Sequence, residues 1–371
     1  MRWVLFAPVP VFERIRADGH EEVVYCHDPA SGLRAIVAIH STRLGPALGG
    51  TRFYPYPSED DALDDVLRLS KGMTYKAAAA GLDLGGGKAV ILGDPREHKS
   101  EALLRAYGRF LQGLGGRYIT AEDVGTTQPD MDVIRRETTH VTGVSRSLGG
   151  SGDPSEATAY GVLHAMRAVA RILWGSTALE GRHIVITGVG KVGYALARHL
   201  VEERARISVA DVNDSAAERA ARDFGATPVE AKESHSIECD IWSPCALGGA
   251  LSPASIAELR CGAVVGSANN QLATPECGDL VEERGILYAP DFVVNAGGVI
   301  NISEELSPKG YHRERAYGIV RRIYDTTTTV IATARTEGIT TAAAANRVAE
   351  RRIEQLSNVR LLRTSREEGR P

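Results

Sequence analysis

Residues 81–90, GLDLGGGKAV, set three glycines in front of Lys88 and close on apolar residues. Glycines beside a lysine are the materials of a phosphate loop, but the spacing is wrong for one. The pattern GxxxxGK[ST] would need glycine at Leu82 and a hydroxyl residue at Ala89. The stretch also leads from helix into strand, the reverse of the order that points helix N–H groups at a phosphate. A lysine directly before a buried strand is hard to leave fully solvated. The glycines read as clearance that lets substrate and backbone come close to it. For such a lysine to act as a base near neutral pH, its ammonium must be destabilised by burial or by a second cation. A second lysine, Lys76, lies in MTYKAAAA (73–80) at the end of an amphipathic helix, where a snorkelling surface role is the alternative. Asp123, in AEDVG (121–125), follows an apolar strand at the end where open α/β sheets bind ligands. Taken alone, an aspartate so placed is more often a helix N-cap or turn residue, and Glu122 competes with it for any polar function.

A further constellation lies about a hundred residues later. GVGKVG (188–193) is GxGxxG; it follows the apolar strand 183–187 and opens a helix, and Asp211 stands 23 residues after its first glycine. Gly188 permits the tight turn, Gly190 admits a pyrophosphate to the backbone, and Gly193 lets helix and strand pack closely. Val189, Lys191 and Val192 complete a loop whose N–H groups would hold the diphosphate. A ligand-free glycine-rich turn is the alternative; strand, helix and acidic residue together favour a dinucleotide. Asp211 accepts from a ribose 2′-OH and repels a 2′-phosphate, and Val212 and Asn213 offer no arginine to hold one. The expected cofactor is NAD rather than NADP.

Positioning these groups takes two domains, the expectation for 371 residues. Ser58–Asp61 resembles a capping box, and Leu63, Val66 and Leu67 then recur at helical spacing. A strand over 89–92, a helix over about 100–113 and a strand over 118–121 follow, so the first part is α/β with its own sheet. SRSLGGSGDPS (145–155) has turn chemistry and marks a boundary, with a helix starting near Glu156. Strands over 183–187 and 206–210, and near 240–242, 263–265 and 286–288, build a parallel sheet. The Thr-rich run 325–329 and the alanines 342–345 fall within helices, and the charged tail from Arg363 frays.

Composition narrows the function. A net charge of -4 without a basic block leaves no footprint for nucleic acid. MRWVLFAPVPVF, broken by Pro8 and Pro10, is neither a secretory signal nor a membrane span, and no later apolar run reaches about 18 residues. The five cysteines form no CxxC pair and suit a reduced, cytoplasmic protein, and no histidine cluster has metal-ligand spacing. No metal, membrane or nucleic-acid partner is expected.

GPALGGTR (45–52), MTYKAAAAGLDLGGGK (73–88), GRYITAEDVGTT (116–127), GSGDPS with TAYGV (150–162), GVGKVG, SPCALGGAL (243–251), GSANNQL (266–272) and YAPDFVVNAGGVI (288–300) occur in one order. Over residues 20–355 the chain resembles the amino-acid dehydrogenase family of leucine, valine and phenylalanine dehydrogenases, relatives of glutamate dehydrogenase. The resemblance implies an α/β fold of two domains, an N-terminal substrate domain and a Rossmann-type NAD-binding domain with the active site in the cleft between them. The corresponding boundaries are 1–148 for the substrate, catalytic and oligomerisation domain and 149–335 for the NAD domain. Residues 336–371 would form a helical segment packing back on the first domain. The implied reaction is reversible oxidative deamination: L-amino acid, NAD and water give the 2-oxo acid, ammonia and NADH.

By the same resemblance Lys76 binds the substrate carboxylate, Lys88 polarises the developing carbonyl and activates water, and Asp123 moves protons to and from the amino group. Backbone at Gly49 and Gly50 cradles substrate, and Asn270 contacts substrate and the nicotinamide ribose. Thr158 holds the nicotinamide amide, Ala246 and Ala268 line the cofactor groove, and Arg52 reaches the cofactor. Leu48, Ala121, Val299 and Ile302 line the side-chain pocket. All four are apolar, so a glutamate side chain would be buried unpaired. An aliphatic substrate (valine, leucine or isoleucine) is expected, with phenylalanine the alternative because Ala121 in place of glycine takes room from a ring. The resemblance also implies a homo-oligomer. A non-catalytic NAD sensor of this fold would have lost Lys76, Lys88 or Asp123. A 2-hydroxy acid dehydrogenase would want a histidine–carboxylate pair, and no histidine falls within the quoted blocks.

Overall fold

The computed structural model describes residues 10–360. It holds two compact units. One takes the chain through Gly152, then Glu305–Gly310, then the chain from Arg352 onward; the other takes Asp153–Glu304 and Tyr311–Arg351. The tail expected to fray from Arg363 lies outside the described residues, as does the start of the N-terminal apolar run.

The first unit is built on a mixed sheet of order β1-β2-β4-β3-β5: β1 (Glu22–Asp28), β2 (Leu33–Ser41), β3 (Ala47–Tyr54), β4 (Gly85–Leu92) and β5 (Tyr118–Glu122). β2 pairs antiparallel with β1 and β4, whereas β3 runs parallel to both β4 and β5. Helix Glu59–Ala79 starts where the capping pattern predicts, with the Ser58 side chain accepting the Asp61 N–H at 3.1 Å. Three acidic residues in its first turn face the positive end of the helix dipole. Its stripe of Ala62, Leu63, Val66 and Leu67 buries against Ile36, Ala38 and Val90 on one face of the sheet. On the other face, Leu103, Leu104, Tyr107 and Leu111 of helix Glu101–Gly113 close a larger core over Ala47, Phe53, Ala89 and Ile91. Within this unit Glu305 accepts the backbone N–H groups of Ser151 (2.8 Å) and Gly143 (3.0 Å). Arg352 donates to Gly81 O (3.0 Å) and pairs with Asp83 (2.9 Å).

The glycine run departs from the sequence expectation. β4 begins at Gly85, so all three glycines and Lys88 lie inside the strand rather than before it. Glycine usually punctuates or weakens a strand; here the protein itself fills the missing side-chain space. A Cβ on Gly86 would sit 2.0 Å from the Thr74 nitrogen of helix Glu59–Ala79, and one on Gly87 would sit 2.7 Å from the Tyr118 ring. The clearance expected for substrate is therefore taken, at both positions, by protein. Helix and strands can approach only because the side chains are gone.

The second unit carries a parallel sheet of order β11-β10-β9-β6-β7-β8. Its strands are β6 (His183–Thr187), β7 (Arg206–Ala210), β8 (Thr227–Pro228), β9 (Cys239–Pro244), β10 (Cys261–Val264) and β11 (Leu287–Tyr288). Counted from β6, this is the 3-2-1-4-5-6 order of a Rossmann-type sheet, whose ligands bind where the strand order reverses. β6 and β7 fall residue for residue where the apolar runs predict them. The Thr-rich run and the alanines lie in helices Ile323–Glu337 and Thr341–Arg360. Among the described residues no helix is long and apolar enough to cross a membrane.

Gly86→Ala tests the close approach. Overpacking of this kind costs at least about 1–3 kcal/mol, so urea unfolding should shift to lower denaturant. An unmoved midpoint would mean that the helix yields without strain.

Candidate active site

Strand register decides which side chains share a face. Leu48 stands opposite Gly86 on β4 and Ile119 on β5, and Gly50 stands opposite Ala121. Alternation along the strands then sets Leu48, Gly50, Arg52, Gly86, Lys88 and Ala121 on one face, with Asp123 one residue beyond the end of β5. Leu48 and Ala121 are buried, and Lys88 is only 6% exposed. Its ammonium lies 3.1 Å from Asp123 Oδ2. The sequence leaves Glu122 and Asp123 unranked; the structure seats Asp123 on the lysine. Glu122, by alternation, belongs to the opposite face.

Several features hold Asp123 in place. Gly50 is one: a Cβ there would lie 2.9 Å from the Asp123 Cβ. The Asp123 N–H donates to Thr126 Oγ1 (2.9 Å), and that hydroxyl donates to Thr51 O (2.8 Å). Gly125, at φ +80°, turns the chain where any side chain would strike Phe53 O. The neighbouring Gly49 carbonyl accepts the Tyr118 hydroxyl at 2.6 Å. Lys76 is half-buried in the last turn of helix Glu59–Ala79.

Arg52, expected to reach the cofactor, has its guanidinium engaged on two sides within this unit. Nε donates to Asp123 Oδ2 (3.0 Å) and Nη1 to Asp65 Oδ2 (2.8 Å). Tyr56 OH donates to that same Asp65 oxygen (2.7 Å), and Arg68 binds the other (2.7 Å). Burial would raise the Asp123 carboxyl, but Lys88 and Arg52 outweigh it and hold the group below the usual carboxylate range. Burial is likewise outweighed at Asp65, by the Tyr56 and Arg68 hydrogen bonds and the Arg52 charge. The Tyr56 phenol is pushed up, by burial first and then by Asp65. Sequence reasoning missed Asp65, Tyr56 and Thr126. One signal was there: Asp65 precedes Lys76 by eleven residues, three helical turns, so both lie on one face of the helix.

In the second unit the glycines of the dinucleotide loop divide their work. Gly188, at φ +99°, would drive a Cβ to 2.7 Å from the Ala246 nitrogen, and Gly193 would meet Gly188 O at 1.9 Å. Gly190 faces open space and caps helix Lys191–Glu202. Two glycines thus serve the fold, and the third leaves the helix start open. Val189 is buried and Val192 half-buried, while the exposed Lys191 pairs with Asp153 at 2.8 Å. Asp211 follows β7 and accepts the N–H groups of Val189 (2.8 Å) and Asn213 (2.9 Å). It also lines a cavity of about 620 Å³ with Asp214, Glu218, Glu230 and Lys232. Loop, helix start and adjoining cavity fit a dinucleotide.

The remaining residues of this unit lie on nearby loops and helix starts. Thr158, in the first turn of helix Ser155–Trp174, donates to Pro154 O (3.0 Å). Ala268 is buried in the loop after β10, and Asn270 is exposed there at φ +52°. Left-handed backbone at a non-glycine residue is strained and needs support. Gln271 and Asn295, missed in the sequence although both stand in the quoted blocks, brace the loop. Gln271 Nε2 donates to the Gly266 and Ala268 carbonyls (2.8 and 3.0 Å), and Asn295 Nδ2 donates to Ser267 O (3.0 Å). Val299 and Ile302 share a face of helix Gly297–Ser303. The structure thus gathers Leu48, Gly50, Arg52, Lys88, Ala121 and Asp123 in one unit, and the 188–193 loop, Asp211 and Ala246 in the other.

Known proteins resemble this chain along nearly its whole length. Residues 20–140 match the family model described as Glu/Leu/Phe/Val dehydrogenase, dimerisation domain. Residues 149–218 and 208–360 match that of Glutamate/Leucine/Phenylalanine/Valine dehydrogenase. Leucine dehydrogenase of Geobacillus stearothermophilus is 53% identical over 350 residues, covering 94% of this chain and 95% of its own. Valine dehydrogenase of Streptomyces virginiae is 52% identical over 338 residues, covering 90% and 94%. The crystal structure of L-tryptophan dehydrogenase from Nostoc punctiforme aligns with a TM-score of 0.83 at 44% identity, covering 94% and 99%.

Proposed function

The chain belongs to the Glu/Leu/Phe/Val dehydrogenase family, and from that premise we propose that it converts an aliphatic L-amino acid (valine, leucine or isoleucine), NAD and water into the 2-oxo acid, ammonia and NADH, reversibly. The observation that carries the reading is the Lys88–Asp123 pair, 3.1 Å apart, on the sheet face that also bears Leu48 and Ala121. Membership by itself brings amino-acid dehydrogenase chemistry and a nicotinamide cofactor; the preference for NAD and the substrate are the steps beyond it.

In this reading Lys76 binds the substrate carboxylate and Gly49 and Gly50 supply backbone around it. Lys88, in its neutral form, takes a proton from the attacking water, and the ammonium so formed donates a hydrogen bond to the oxygen that becomes the carbonyl. Asp123, kept ionised by its two cations, accepts a proton from the substrate ammonium and returns one to the departing ammonia. A nicotinamide bound there would supply the hydride acceptor for the substrate Cα. Thr158, Asn270, Ala246 and Ala268 would hold it, and the 188–193 loop the diphosphate. Asp211 would take the ribose hydroxyls. The cavity beside Asp211 has four carboxylates against the single cation Lys232, an unfavourable seat for a 2′-phosphate. Leu48, Ala121, Val299 and Ile302 favour an aliphatic side chain. A relative whose name gives tryptophan as substrate keeps an aromatic second reading, phenylalanine, in play. A homo-oligomer fits the family description of residues 20–140 as a dimerisation domain. A cytoplasmic location fits the free cysteines.

NADH formation from a panel of L-amino acids at alkaline pH tests the substrate: a branched-chain amino acid should be fastest, and fastest turnover of glutamate would overturn the pocket argument. Lys88→Ala should lower kcat by ~10²–10⁴-fold with dinucleotide binding intact, and activity within about tenfold of wild type would contradict the role of Lys88. Asp211→Ser should relax the preference for NAD over NADP; equal use of both by the unmutated protein would remove the basis for that preference.

A further inference from the structure

Arg52 stands between two carboxylates, and only one of them belongs to the face on which the reaction is placed. Its Nε lies on Asp123 Oδ2, the atom that also meets Lys88 Nζ, while Nη1 lies on Asp65 Oδ2. Oδ1 of Asp123 takes part in neither bond. Asp65 is held in turn: Tyr56 OH donates to the oxygen that Arg52 uses, and Arg68 binds the other. The Asp65 side chain is 16% exposed and that of Arg52 23%, so water screens this chain of contacts only partly. An arginine is long and loses much rotamer freedom when fixed. One hydrogen bond to Asp123 would hold it poorly; a second anchor on the far side of its planar fork orients the whole group.

We propose that Asp65, assisted by Tyr56, is a positioning residue for amino-acid oxidation: it fixes Arg52, and Arg52 fixes the Asp123 carboxylate with Oδ2 turned to the two cations and Oδ1 toward the reacting amino group. This rests on the role given to Asp123 above. Asp65 touches neither reactant in the reading, so its effect travels through Arg52. Orientation of a proton-transfer group enters the rate of the chemical step more than the affinity for substrate or dinucleotide.

Asp65→Asn removes the charge and keeps the shape. It should lower kcat roughly tenfold while leaving KM for the dinucleotide within about twofold. Asp65→Glu, which can still bind the guanidinium, should recover most of the loss. In ¹H–¹⁵N spectra the Arg52 Nε–H signal, assigned by its loss in Arg52→Lys, should be sharp in the unmutated protein and broadened in Asp65→Asn. Should Asp65→Asn fail to fold, Tyr56→Phe removes one bond to Asp65 and should give a smaller effect of the same kind. Unchanged kcat with only a lowered melting temperature would overturn the proposal, as would a raised dinucleotide KM at constant kcat, which would mean that Arg52 serves the cofactor instead. If the unmutated protein oxidises no amino acid, the functional reading falls. The Arg52 signal then decides the anchoring separately: a signal equally sharp with and without Asp65 sinks it.

Discussion

Asp123 Oδ2 receives Lys88 Nζ and Arg52 Nε together, and much of the first unit exists to make that meeting possible. A lysine inside a strand, almost wholly out of water, needs an anion within reach, because an unpaired buried ammonium is far more costly than a paired one. The anion must itself be held where two cations can share one oxygen. Gly50 provides room for it, the 123–126 turn fixes its backbone, and the strand register sets it level with Arg52, two residues beyond the level of Lys88. Such a cluster is sensitive to simple perturbation: removing any one charge leaves the others badly balanced.

What the sequence disclosed depended on distance along the chain. The dinucleotide loop was legible because strand, glycines, helix and Asp211 fall within about thirty residues and follow one local rule. The Ser58 cap and the edges of β6 and β7 were legible for the same reason. β1 and β2 were not, since β2 is buried on both faces and shows no alternation to read. The glycine run reads as the approach to a strand over 89–92, because glycine commonly punctuates a strand. Its place inside β4 follows from contacts with Thr74 and Tyr118, which no local pattern reports. Asp123 and Glu122 could be told apart only by register. Asp65 stayed hidden because its partner sits on a strand, and only the shared helix face with Lys76 hinted at it.

The relatives are named for different amino acids. Proteins named for leucine, valine and tryptophan share between 44% and 53% of their residues with this chain across nearly its full length. The charged cluster and the glycine-lined contacts are demanding in geometry and tolerate few alternatives. Buried apolar positions such as Leu48 and Ala121 trade in volume alone, where one methylene is worth only ~1–3 kcal/mol. Exchanges at such positions can therefore change volume while the charged cluster keeps its geometry.

The chain passes between its two units at 152/153, 304/305, 310/311 and 351/352. A cut at the first of these would look like a clean division of genes, yet it would strip the first unit of Glu305, which holds Ser151 and Gly143, and of Arg352, which holds Gly81 and Asp83. Gly81 and Asp83 open the very segment that runs into Lys88. The first unit is therefore not a portable module: the segment leading into the strand of Lys88 is tethered by Arg352, which follows the whole stretch of chain that builds the second unit, so a ribosome must make that stretch before the strand has all its supports.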